Sequence, residues 1–150
     1  MERKQKLAYA KSVDSEKKLV TAYVSTYEWD RMLEKFSPGA WDLTNYKKNP
    51  IVLWGHDGSQ PPIGRAVDIK EDENGLSAVT EFDTASERGA EIFGLYERGF
   101  LNAFSVGFIP KNHVMEQVPE QNTKGVVWTD AELLEYSAVS IPANPGAIVG

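Results

Sequence analysis

The stretch GRAVDIKEDENGLSAVTEF, residues 64–82, decides the class of the fold. Two short β-like runs, Gly64 to Lys70 and Leu76 to Phe82, flank the polar segment EDENG. Asn74-Gly75 sits at its end, and such a pair readily supplies the positive φ angles that a tight hairpin turn needs. An antiparallel pair is therefore predicted. Working outward, LVTAYVST (19–26) alternates as a strand, with Val20, Ala22 and Val24 on one face and Leu19, Thr21, Tyr23 and Ser25 on the other. Ile51 to Trp54, Ala103 to Pro110, Val126 to Trp128 and Leu133 to Ile141 read as further strands. One helix runs through ERGAEIFGLYERG (87–99), with Thr84 or Ser86 as its cap. Ile92, Phe93, Leu95 and Tyr96 give it an apolar stripe, and Gly99 stops it. Residues 28–50, EWDRMLEKFSPGAWDLTNYKKNP, read as a loop with one or two helical turns. Residues 111–125, KNHVMEQVPEQNTKG, read as a mobile loop. About six or seven short strands around one helix, without a βαβ repeat, point to an α+β, mainly β protein. The expected architecture is a single small barrel-like antiparallel β-core with peripheral helices, a sandwich being the other arrangement that fits.

Composition narrows the function classes. A chain of 150 residues, 41% of them hydrophobic, suffices for one core and one domain, residues 1–150. Its formal net charge of -6 disfavours a broad phosphate-binding face, so nucleic acid is not the expected partner. There are no cysteines, which removes disulfides, a thiolate nucleophile and the usual Cys/His zinc sites. No run is long enough to span a bilayer as a helix, and the basic start MERKQKLAYAK leads into no apolar leader segment. A soluble intracellular protein is expected, with residues 1–17 a flexible basic tail.

Three apolar, strand-like stretches each carry one reactive polar side chain. NPIVLWGHD delivers His56 just past a strand end, after Gly55. A histidine there stands at a rim, where its ring can be aimed and titrated; the other reading is a surface histidine at a strand end, paired with Asp57. In NAFSVGF, Phe104, Val106 and Phe108 share one face while Ser105, Gly107 and Ile109 share the other. Gly107 leaves room beside the Ser105 hydroxyl, which is either a nucleophile or a small gap-filler. In ELLEYSAVS, Leu133, Glu135, Ser137 and Val139 alternate with Leu134, Tyr136 and Ala138. A carboxylate on so apolar a strand is costly unless paired, and the Nδ1–H of a histidine is a suitable partner. The bland reading is an edge-strand glutamate facing water. Glu132 competes with Glu135 but comes at the strand's start. Together the three residues supply a base, a nucleophile and an acid, the groups needed for acyl transfer. No metal cluster and no cofactor motif accompany them.

In this order, the segments TAYVSTYEWDR, SPGAW, NPIVLWGHD, PIGRA, FSVGF and LLEYSAVSIPANP resemble the prohead proteases of tailed bacteriophages, serine proteases of capsid maturation related to herpesvirus assemblins. The resemblance covers most of the chain. It implies a herpesvirus-protease-like fold, His56 as the base of the WGHD-like motif and Ser105 as the nucleophile of the FSVGF-like motif. Glu135 of the LxExS-like motif falls in the third place. Herpesvirus relatives put a second histidine there, so His113 stands beside it as the rival. Arg65 of PIGRA is either a contributor to oxyanion binding or one half of a structural ion pair. The implied activity is endopeptidase cleavage of phage capsid and scaffold proteins, with self-cleavage as a companion, inside the immature capsid in the host cytoplasm. No cofactor is implied, membrane and nucleic acid are not expected partners, and a homo-oligomer is possible because the assemblins dimerise. A non-catalytic, scaffold-binding assembly factor on the same fold is the alternative.

Overall fold

The computed structural model describes residues 13–149. Its strands are β1 (Val13–Asp14), β2 (Leu19–Thr26), β3 (Glu34–Phe36), β4 (Trp41–Asp42), β5 (Ile51–Trp54), β6 (Gly64–Glu71), β7 (Gly75–Phe82), β8 (Ala103–Gln117) and β9 (Lys124–Val139). Helix α1 (Glu87–Glu97) lies between β7 and β8. All nine strands belong to one sheet, in which β1, β2, β7, β6, β5 and β9 are successive neighbours. The α+β, mainly β class expected from the sequence is what forms. Of the tail expected over residues 1–17, Val13–Asp14 is a strand paired with β2, and residues 1–12 lie outside the described residues.

The hairpin of residues 64–82 forms as β6 and β7, with Glu71 opposite Leu76 across the turn. Asp72 Oδ1 accepts the N–H groups of Asn74 and Gly75, so the turn is held by its own side chain. Val20, Ala22 and Val24 of β2 are buried as their alternation requires. Ser86 caps α1 by accepting the Gly89 N–H at 2.9 Å. The buried stripe of α1 packs Phe93 and Tyr96 on Phe82, and Tyr96 stacks on Phe104 with ring centroids 4.9 Å apart. The Tyr96 hydroxyl donates to the Ala103 carbonyl at 2.6 Å. The helix thereby fixes the first residues of β8 twice, by ring packing and by a buried hydrogen bond.

The sheet differs from the expected antiparallel core in one respect: it is mixed. β9 takes β8 antiparallel along one edge, and β3, β4 and β5 in parallel along the other. Sequence reading finds antiparallel neighbours because tight turns join them, whereas parallel neighbours meet through long connections. β3 and β4, three and two residues long, emerge from the segment read as loop and helical turns, along with a single 3-10 turn at Tyr46–Lys48.

The second correction concerns residues 111–125. The expected mobile loop is an extension of the sheet: β8 runs on to Gln117, β9 starts at Lys124, and only residues 118–123 turn. Its polar composition reflects exposure of β8 beyond Phe108, not absence of structure. Val114 opposite Val127 and Met115 opposite Val126 supply cross-strand pairs, and Val118 is buried at the turn.

The sheet does not close by direct pairing of its end strands. Instead Ile148 bridges to Ala103 of β8 and Val149 to Ala22 of β2, so the last described residues link the two strands. Buried Asn144 secures this segment, exchanging hydrogen bonds with Thr26 through both its amide atoms and accepting the Gly146 N–H.

Candidate active site

Ser137 lies at the centre of a row across three strands, with Leu53 of β5 on one side and Ser105 of β8 on the other. Two residues back along β9, Glu135 is opposite Gly107. Paired residues project to the same side of a sheet, so Ser105, Gly107, Glu135 and Ser137 share one face. The opposite face carries Phe104, Tyr136 and Ala138, all fully buried, and forms the floor of the site. Tyr136 is fixed there by a 2.6 Å hydrogen bond to Thr80 Oγ1 and by an edge contact with Phe104.

A bulge makes this possible. Register shifts between Gly107 and Phe108, so Leu133 faces Phe108 and Leu134 is the extra residue on β9. Unbroken alternation had placed Leu133 on the face of Glu135; the bulge moves it to the core side, where it is buried, and leaves Leu134 exposed. Glu135 is freed from an apolar neighbour it would otherwise have shared the face with.

His56 reaches the same face by a tight turn. Gly55 and His56 have φ of 60° and 62°, and the Asp57 N–H donates to the Trp54 carbonyl at 3.1 Å. This is the geometry of a type I′ turn, in which glycine is relaxed and histidine is tolerated. The turn folds the chain back toward β9: the Gly55 N–H donates to the Ala138 carbonyl and the His56 N–H to Ser137 Oγ, both at 2.9 Å. The imidazole Nδ1 then meets Glu135 Oε2 at 2.6 Å. The second carboxylate oxygen, Oε1, accepts from Ser137 Oγ at 2.7 Å.

The hydrogen bond from Glu135, reinforced by its charge, holds the His56 pKa above its ordinary value against the opposing effect of partial burial. With Nδ1–H committed to the carboxylate, the neutral ring keeps its lone pair on Nε2. The histidine side chain is 40% exposed and the glutamate 14%, so the ring stands at the rim with its partner beneath. Ser105 is 7% exposed, and its hydroxyl has no hydrogen-bond partner among the described residues. In a resting enzyme, contact between nucleophile and base need not be formed.

Gly107 has a steric reason to be glycine. A Cβ there would stand 2.1 Å from Glu135 Oε2, so the carboxylate crosses to His56 through the space that a side chain would fill.

The other residues weighed from sequence lie elsewhere. His113 is on β8 opposite Trp128, its ring 5.4 Å from the indole. Eight residues separate it from Ser105 along the strand, roughly 25 Å. Glu132 accepts from Asn45 and pairs with Lys111. Arg65 forms an ion pair with Glu81 at 2.9 Å. Asp57 accepts from Ser59 and not from its neighbour His56. Among the described residues, no group of three or more His, Asp or Glu is arranged to hold a metal ion, and no helix is long and apolar enough to cross a membrane. Ser137 is the contributor that sequence reading missed. Its position two residues after Glu135 was the available signal, but its role depends on the turn that brings the His56 backbone to it.

The model of the family described as caudovirus prohead serine protease matches residues 6–150. The chain belongs to that family. A prohead protease of Escherichia phage T5 is 37% identical over 145 residues, covering 91% of this chain and 66% of the relative. A capsid polyprotein of Pseudomonas phage PAJU2 is 29% identical over 145 residues, covering 93% of this chain and 20% of the relative. The chain thus spans just under two thirds of the first relative's length and a fifth of the second's. No solved structure matches, so the herpesvirus likeness rests on the sequence resemblance alone.

Proposed function

We propose that this protein is a serine endopeptidase of capsid maturation, with Ser105 as nucleophile, His56 as base and Glu135 as the group that orients the histidine. The observation that carries this reading is the 2.6 Å contact of Glu135 with His56 Nδ1, on the sheet face that Ser105 shares. Family membership supports the reaction class.

Ser105 Oγ bonds to the scissile carbonyl carbon as its proton passes to His56 Nε2. Glu135 stabilises the imidazolium so formed. The C–N bond then breaks, Nε2 returns the proton to the leaving amine, and water attacks the acyl-serine by the same route. The carboxylate keeps the ring oriented throughout and takes no proton.

Capsid and scaffold segments inside the prohead are the proposed substrates, and one domain the proposed organisation. That a capsid polyprotein carries a matching segment supports capsid proteins as the substrate class. The outer edge of β8 supports an extended substrate. Phe104 N–H already bonds outward to Ala147, and beyond it the edge from Val106 pairs with no described strand. A peptide added there would run past Ser105. Incubation with a scaffold–capsid precursor tests the assignment: wild-type protein is expected to process it and Ser105→Ala to leave it intact. Equal processing by both overturns it.

A further inference from the structure

Ser137 is fully buried, yet its hydroxyl uses both donor and acceptor capacity on the same two residues. It accepts the His56 backbone N–H at 2.9 Å and donates to Glu135 Oε1 at 2.7 Å. Glu135 Oε2 meets the His56 ring at 2.6 Å. Backbone, hydroxyl, carboxylate and imidazole thus close a ring of contacts in which β9 takes part through Glu135 and Ser137. We propose that Ser137 is the positioning residue of the site, a single hydroxyl that sets both the histidine backbone and the carboxylate that orients its side chain.

The physical case has two parts. His56 sits in left-handed backbone geometry, which a non-glycine residue adopts at a cost that surrounding contacts must offset. The hydrogen bond to Ser137 is one of the contacts that hold it there. Glu135 can bond through either oxygen, and occupation of Oε1 by Ser137 leaves Oε2 for the ring. A free carboxylate rotates about its last torsion; one gripped at Oε1 does not. Gly107 confines the same group from the neighbouring strand by leaving the lane that Oε2 occupies. Ser137 needs no contact with substrate for this role.

The inference rests on the proposed roles of His56 and Glu135, so its test begins with Glu135. Glu135→Ala must first lower kcat for precursor cleavage; if it does not, the triad reading fails whatever Ser137 does. Given that loss, Ser137→Ala is expected to lower kcat about 10²-fold with KM within about twofold, as expected when ground-state binding is spared. It is also expected to move the acid limb of the kcat/KM profile to lower pH, because a misaligned carboxylate no longer supports the imidazolium. Added to Glu135→Ala it should cost little more, since both act through one contact. Gly107→Ala, which displaces the carboxylate from the other side, should reproduce the same loss and the same limb shift. Retained kcat with an unmoved acid limb in Ser137→Ala overturns the proposal. So do losses that multiply in the double variant.

Discussion

The two halves of the β8–β9 hairpin are made of the same pair of strands and do different work. From Ala103 to Gly107, β8 lies over a floor of Phe104 and Tyr136, is tied to α1 through Tyr96, and faces Glu135 and Ser137. From Ile109 to Gln117 it is exposed at every residue. Register is uninterrupted from Ala103 to Gly107 and shifts three times beyond it. The comparison teaches that strand pairing alone does not make a site. Reactive side chains are held to useful precision where the opposite face is packed and the neighbouring strand supplies hydrogen bonds.

Exchanging glutamate for histidine as third member would move the chemistry toward the outer half, so variants there test the comparison directly. Between the two candidates for third member, the larger effect is expected for Glu135→Ala, a fall in kcat of roughly 10³–10⁴, as for triad carboxylates elsewhere. Assay of precursor cleavage with parallel thermal unfolding checks that the fold is retained. A smaller, diagnostic effect is expected in the pH profile. As the proposed base, His56 must be neutral to accept a proton, and Glu135 raises its pKa, so wild-type kcat/KM should rise with an acid limb above pH ~6.5. Glu135→Gln should move that limb to lower pH. The same linkage works on stability: the raised pKa means that the ion pair stabilises the fold below the unfolded histidine pKa and is lost as pH rises through the folded value. The smallest effect is expected for His113→Ala, with kcat within about twofold and stability within about 0.5 kcal/mol, since among the described residues the ring contact of that side chain is with Trp128. A crippling effect of His113→Ala would reverse the comparison.

Much of this was legible in the chain. The Asn74-Gly75 turn, the period-two runs and the Ser86 cap report local preferences, and they appear as β6–β7, β2 and α1. The pairing of Glu135 was legible as an energetic demand, because a carboxylate on an apolar strand needs a partner. What was not legible depends on distant neighbours. β3 and β4 are too short to show a period, and exist because β9 offers an edge to Glu34–Phe36 and Trp41–Asp42. The outer hairpin was hidden by its polarity. The bulge at Leu134 arises from pairing with β8, so alternation counted along β9 alone put Leu133 on the wrong face. Ser137 was hidden for the same reason: its partner is a backbone N–H delivered by a turn 81 residues away in sequence.

The central claim is that His56, oriented by Glu135, activates Ser105. Reaction with a fluorophosphonate reagent followed by peptide mass spectrometry tests it without a substrate. The adduct is expected on Ser105 in wild-type protein, absent after His56→Ala, and formed much more slowly after Glu135→Ala. Modification of another serine, or labelling of Ser105 at the wild-type rate without His56, would contradict it.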